Sequence, residues 1–241
     1  IEKVNIVFMM VGLPEDVHSC IFGGNGFLQS EKELSGKVVV DMTTSSPSLA
    51  LKVGEMLGQR GALSLDAPVS GGDIGAVNGT LSIMVGGDEA AFHKLRYFWE
   101  ILGKTIVYHG SYGLGQHAKM VNQTLIATNM IGVSEALLYA YKVGMDPWKV
   151  LESVESGAAA SWSLSQLGRR ILKKDFTPGF YVDHFIKDMG IALEEAKKMD
   201  LGLPGLSLAH QLYLALKDQG GGQLGTQALY KALERINNIS S

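Results

Sequence analysis

The sequence predicts an α/β first half followed by an all-α second half, and three observations carry that prediction. Short β-rich runs alternate with helical patterns as far as Tyr108, the β signal disappears from Gly113 onward, and the segment His117 to Val143 is apolar on every side of a helical wheel. Strands alternating with helices imply a largely parallel sheet covered by helices. The expected domains are residues 1–112 and 113–241.

Each element has a local reason. Val4 to Val11 reads as a strand, and Pro14 to Phe22 as a helix with acids in its first turn. Lys37 to Asp41 is the next strand. Ser46 and Pro47 form an N-cap and first-turn pair for a helix through Arg60. Ala62 to Leu65, Leu81 to Val85 and Thr105 to Tyr108 complete the strands, with a helix from Asp88 to Leu102 before the last of them. The second half reads as helices over His117 to Val143, Pro147 to Glu155, Ser163 to Lys173, Val182 to Lys198, Pro204 to Lys217 and Thr226 to Ile236. Gly220 to Gly222 is a flexible joint.

Composition excludes several classes. With 46% hydrophobic and 19% charged residues over 241 positions, the chain is an ordinary globular protein with room for one large or two small domains. A net charge of -3, with Lys and Arg scattered, gives no electrostatic footprint for nucleic acid or an anionic membrane. Cys20 is the only cysteine, and no Cys/His cluster has metal-ligand spacing. The apolar run Val4 to Val11 is too short to span a bilayer and lacks a signal peptide's basic flank. Small-molecule chemistry is the remaining expectation.

Gly113-x-Gly115-x-x-Ala118 follows a strand and opens a helix, as a dinucleotide fingerprint does. It fails as one, because the helix runs far past the point where a second strand should end in an acidic residue, and Glu135 lies inside it. Gly24-x-Gly26 has no preceding strand. The segment Asp66 to Thr80 is glycine-rich and sits at a strand end; it reads either as a simple turn or as a loop bringing backbone N–H groups and the Ser70 hydroxyl to an anion. Lys119, Asn122 and Gln123 share one helix face. Lys119 is either a lysine snorkelling to water or a buried one whose pKa falls from about 10.4 toward neutrality, where it exchanges a proton with a hydroxyl. His117 at the helix start reads as a surface residue, the other histidines lack triad spacing, and Lys187-Asp188 taken alone is a solvated pair.

Together these pieces are far more specific. Asp66-Ala-Pro-Val-Ser-Gly-Gly, Gly75-Ala, Gly79-Thr80-Leu81, Met84-Val85-Gly86-Gly87, Gly113-x-Gly115-Gln116-x-x-Lys119-x-x-Asn122 and Lys187-Asp188 closely resemble, in order and spacing, the signature of β-hydroxyacid dehydrogenases. The resemblance is to 3-hydroxyisobutyrate dehydrogenase and its relatives, tartronate semialdehyde reductase and glyoxylate/succinic semialdehyde reductase, and it covers essentially the whole chain. It implies a Rossmann-like first domain with a mostly parallel sheet, followed by an all-helical domain.

The resemblance also implies roles. Lys119 is the catalytic acid/base; Ser70, Gly71 and Gly72 hold the substrate carboxylate; Asn122, Gln123 and Asp188 orient the substrate. Leu13, Pro14, Thr44 and Lys187 contact the cofactor, NAD or NADP, and no metal is implied. The expected substrate is a small 3-hydroxy acid or its semialdehyde, the expected assembly a homodimer or homotetramer, and the compartment the mitochondrial matrix or cytoplasm. The rival expectations are an NADPH-dependent glyoxylate/succinic semialdehyde reductase and a catalytically silent oligomerisation module. Two departures bear on this: Asn122-Gln123 stands where many members have Asn-Asn, as in tartronate semialdehyde reductases, and His18 replaces a frequent Asn. The family's first βαβ unit, with its Gly-x-Gly-x-x-Gly turn and ribose-reading residue, is expected before Ile1, and without it the sheet exposes an edge.

Overall fold

The computed structural model describes residues 1 and 3–239 and divides into two compact units, Ile1–Val121 and Asn122–Ser241. The first unit begins with β1 (Ile6–Met9), α1 (Pro14–Phe22), β2 (Val38–Asp41), α2 (Pro47–Gly58) and β3 (Leu63–Asp66). It continues with β4 (Val69–Ser70), α3 (Gly72–Val77), β5 (Leu81–Gly87), α4 (Glu89–Lys94), α5 (Arg96–Leu102) and β6 (Gly103–Gly110). Ser46 caps α2 as its sequence predicts, its hydroxyl accepting from Leu49 N at 3.1 Å. The helix expected over Asp88 to Leu102 is two helices that meet at Leu95, which caps the first and opens the second. Asp88 starts the pair by accepting from Ala91 N at 2.7 Å.

The sheet order is β1-β2-β3-β5-β4, with β6 on the far side of β5. β1, β2 and β3 pair in parallel, as do β5 and β6, and the two blocks meet at an antiparallel seam. β3 and β4 lie one after the other along the same side of β5, through Asp66↔Gly86 and then Val69↔Ile83. Ala67-Pro68 is a short interruption between them. Both faces of the sheet are covered. Val38 and Val40 point into a core with Leu65, Ile83, Val85 and Trp99, whereas Val39, between them, points into the opposite core with Val17, Ile21, Val53 and Leu57. Among the described residues β1 pairs only with β2, and Met10 just past it is 68% exposed.

α6 (Leu114–Val143) starts in the first unit and continues as the first helix of the second. The second unit adds α7 (Pro147–Val154), a wider π-type stretch over Ser163–Gly168 running into α8 (Arg169–Leu172), α9 (Val182–Lys198), α10 (Pro204–Leu216) and α11 (Leu229–Ile236). Phe185 of α9 lies edge-on to the Tyr213 ring of α10 at 5.1 Å, and the fully buried Tyr213 hydroxyl donates to Thr226 O at 2.8 Å. α6 is apolar all round but not buried all round. Met130, Val133, Leu137 and Leu138 are interior, while Val121, Leu125, Tyr139 and Val143 form an exposed stripe.

Candidate active site

The parallel strands β1 and β2 end in loops that are tied together. Val11 N donates to Thr43 Oγ1 at 3.0 Å, and Thr43 N donates to Asp41 Oδ1 at 2.9 Å. Leu13 precedes α1 with its side chain exposed, and its N–H donates to Asp16 of the first turn at 2.9 Å. Pro14 opens the helix, where its missing N–H costs nothing. Thr44 is half-buried in the second loop.

The first two turns of α6 are anchored into this unit. Asp66, at the end of β3, accepts from Gly113 N through Oδ1 and from Gln116 N through Oδ2, both at 2.8 Å, capping the helix from outside its own sequence. Burial pushes this carboxyl up to about 6, against the opposing pull of the two backbone N–H groups; the Asp41 carboxylate adds to the rise. Gln116 is fully buried and clamps the loop after β2, its Nε2 donating to Thr43 O at 2.7 Å and its Oε1 accepting from Ser45 N at 3.0 Å. Two glycines are required by close approach. A Cβ on Gly115 would strike the carbonyls of Asp66 and Met84, and one on Gly86 would strike Gly115 N. The Gly113-x-Gly115 motif that imitates a nucleotide turn therefore lets the helix start sit against the strand ends.

That anchoring delivers Lys119. Its side chain is buried, and Nζ donates to Val69 O at 2.8 Å, the carbonyl directly before Ser70. The snorkelling alternative is thereby excluded. Ser70 ends β4 half-buried; Gly71 (φ 128°) and Gly72 (φ 64°) follow in backbone conformations that disfavour side chains. The structure thus brings Lys119 together with the Ser70-Gly71-Gly72 loop within one unit.

A second group lies within the helical unit. Asn122 Nδ2 donates to Gln123 Oε1 at 2.8 Å, Gln123 Nε2 donates to Asp188 Oδ2, and Lys187 Nζ lies 3.0 Å from Asp188 Oδ1. Gln123 and Asp188 are each 1% exposed. A carboxylate this deep with two donors on it is not the solvated pair that the dipeptide resembles in isolation. Asp66 and Gln116 belong to the motifs quoted above, yet the sequence alone gives neither a role; their signals are an acid closing an apolar strand and an amide inside a glycine-spaced helix start.

An α/β sheet whose parallel strand ends carry tied loops, next to a buried lysine beside a glycine-rich loop, fits the class of nucleotide-dependent oxidoreductases. Two family models divide the chain between them: the NAD-binding domain of 6-phosphogluconate dehydrogenase over residues 1–110, and the NAD-binding domain of NADP-dependent 3-hydroxyisobutyrate dehydrogenase over residues 113–233. The chain belongs to the β-hydroxyacid dehydrogenase family and is an NAD(P)-dependent hydroxyacid oxidoreductase.

It is 51% identical to the probable 3-hydroxyisobutyrate dehydrogenase-like 1, mitochondrial, of Arabidopsis thaliana, over 99% of this chain and 71% of that one. It is 42% identical to the 2-hydroxy-3-oxopropionate reductase of Escherichia coli, over 98% of this chain and 80% of that one. Among solved structures, 3-hydroxyisobutyrate dehydrogenase of Mycobacterium tuberculosis with L-serine superposes with a TM-score of 0.85 at 28% identity, covering 96% and 80% of the two chains.

The cofactor is NAD or NADP. Loops 10–13 and 42–46 present hydroxyls, backbone amides and the exposed Leu13, and contain no Lys or Arg. None of the described helices is long and apolar enough to cross a membrane.

Proposed function

We propose that this chain interconverts a small 3-hydroxy acid of the 3-hydroxyisobutyrate type and its semialdehyde, with Lys119 as the proton-transferring group. The observation that carries the reading is the buried Lys119 Nζ held on Val69 O, one residue before Ser70. The nicotinamide, when bound, accepts or supplies the hydride. Lys119 takes the hydroxyl proton in oxidation and returns one to the carbonyl oxygen in reduction. Its bond to Val69 O survives both states, because a neutral amine still has two N–H bonds, one to keep on the carbonyl while its lone pair faces the hydroxyl.

Ser70, Gly71 and Gly72 receive the carboxylate, and Asn122, Gln123 and Asp188 orient the rest of the substrate. Leu13, Pro14 and Thr44 line the nicotinamide, and Lys187 serves the cofactor. We assign the functional boundary to residues 112/113, a homodimer or homotetramer to the exposed apolar stripe of α6, and the mitochondrial matrix or cytoplasm as compartment.

A second reading, reduction of 2-hydroxy-3-oxopropionate, is favoured by Asn122-Gln123 and by the similarity to the Escherichia coli reductase. Steady-state rates on both substrates with NAD(H) and NADP(H) separate the two. Lys119→Met lowers kcat by about 10²–10⁴-fold while leaving the circular dichroism spectrum unchanged. A variant with near-normal turnover removes Lys119 from the role.

A further inference from the structure

The side chains of Asn122, Gln123 and Asp188 are joined in a row, and chemistry fixes the direction of every bond in it. Asp188, ion-paired to Lys187 through Oδ1, presents a carboxylate oxygen that can only accept. Gln123 must therefore turn its NH2 toward Asp188 and its carbonyl away. That carbonyl can in turn receive only a donor, so Asn122 must turn its own NH2 toward Gln123. The Asn122 carbonyl and its second N–H are thereby left in one defined order. An amide flip is nearly isosteric, so packing alone would hold either orientation almost equally.

We propose that Asp188 and Gln123 form a polarity relay that sets which end of the Asn122 amide meets the substrate, making both of them positioning residues in this chain. The inference rests on the substrate-orienting role given to Asn122 above. It also accounts for Gln at position 123: its longer side chain spans between Asn122 and the buried carboxylate while keeping an acceptor for one and a donor for the other. An amide that meets a substrate carbonyl or hydroxyl with the wrong end loses a hydrogen bond and meets repulsion.

The test is a polarity swap read in two ways. Asp188→Asn lets either end of the side chain at position 188 face Gln123, so both amides can invert. The double variant Asp188→Asn with Gln123→Glu restores order, because the carboxylate introduced at position 123 accepts from the amide at position 188 and from Asn122 alike. Both variants lack the Lys187 ion pair, so the comparison between them isolates the relay.

Steady-state kinetics should show KM for the hydroxy acid raised about tenfold or more in Asp188→Asn, with a smaller fall in kcat. The double variant should recover most of that loss. Gln123→Leu, which leaves Lys187 and Asp188 paired, should reproduce the KM defect and stands in if Asp188→Asn does not fold.

The readout independent of activity is the Asn122 side-chain NH2 pair in a ¹⁵N spectrum of the full chain. Its shifts and slow solvent exchange should collapse in Asp188→Asn and return in the double variant. If wild-type protein turns over no 3-hydroxy acid, the functional reading fails while these resonances still decide the relay. A double variant no better than Asp188→Asn in both readouts, or unchanged Asn122 resonances in Asp188→Asn and Gln123→Leu, overturns it.

Discussion

Asp66→Asn probes the anchor that sets the start of α6, and its effect is a tilt in stability against pH. The wild-type carboxyl titrates at about 6 in the folded chain, against 3.8 for the free group. Burial is the main cause, partly offset by the N–H groups of Gly113 and Gln116. Between those two values the folded state holds a proton that the unfolded state has lost. The group's contribution is therefore fully present below about pH 4 and is lost as pH rises through 6. At about 1.4 kcal/mol per pH unit, the difference amounts to about 3 kcal/mol.

The variant's amide cannot titrate. It also turns an N–H toward one of the two backbone donors, which offsets its stability curve by a constant without tilting it. Urea unfolding of both proteins from pH 4 to pH 7.5, followed by circular dichroism, gives two curves to subtract. The wild-type minus variant difference should fall by about 2.4 kcal/mol across that range, because at pH 4 the unfolded carboxyl is already partly ionised. A flat difference, or one that rises with pH, refutes the reasoning, since it would mean that the two backbone hydrogen bonds outweigh desolvation.

Further outcomes follow from the same geometry. Gln116→Leu strips the partners from Thr43 O and Ser45 N in a buried setting and should cost about 2–4 kcal/mol in chemical denaturation, with a raised KM for the nicotinamide nucleotide. Arg170, hydrogen-bonded to Asp175 at 2.8 Å, together with Thr177 holds that carboxyl well below the usual carboxylate range. A depressed value means that the pair stabilises above the ordinary carboxylate pKa and is lost as pH falls through the folded one; NMR titration of Asp175 in Arg170→Ala should show its midpoint moving up toward the ordinary value.

Much of the architecture is legible in the sequence because its causes are local. Pro14 and Phe22 bound α1 as predicted, Ser46-Pro47 starts α2, and α9 runs from Val182 to Lys198 on an amphipathic pattern that needs no partner to be recognised. The order of motifs around Ser70, Lys119 and Asn122 likewise gives the family from text alone.

What only the tertiary structure decides depends on neighbours distant in the chain. The two-residue strand at Val69–Ser70 exists because β5 offers it an edge, and the antiparallel seam comes from pairings that no periodicity encodes. Asp66 is an acid at a strand end until Gly113 and Gln116 arrive 47 and 50 residues later to hydrogen-bond it. Lys187-Asp188 reads as surface charge until burial and Gln123 make its carboxylate a fixed acceptor. Residue type determines what each group can donate or accept, but burial and the partner brought by the fold determine which of those capacities is used.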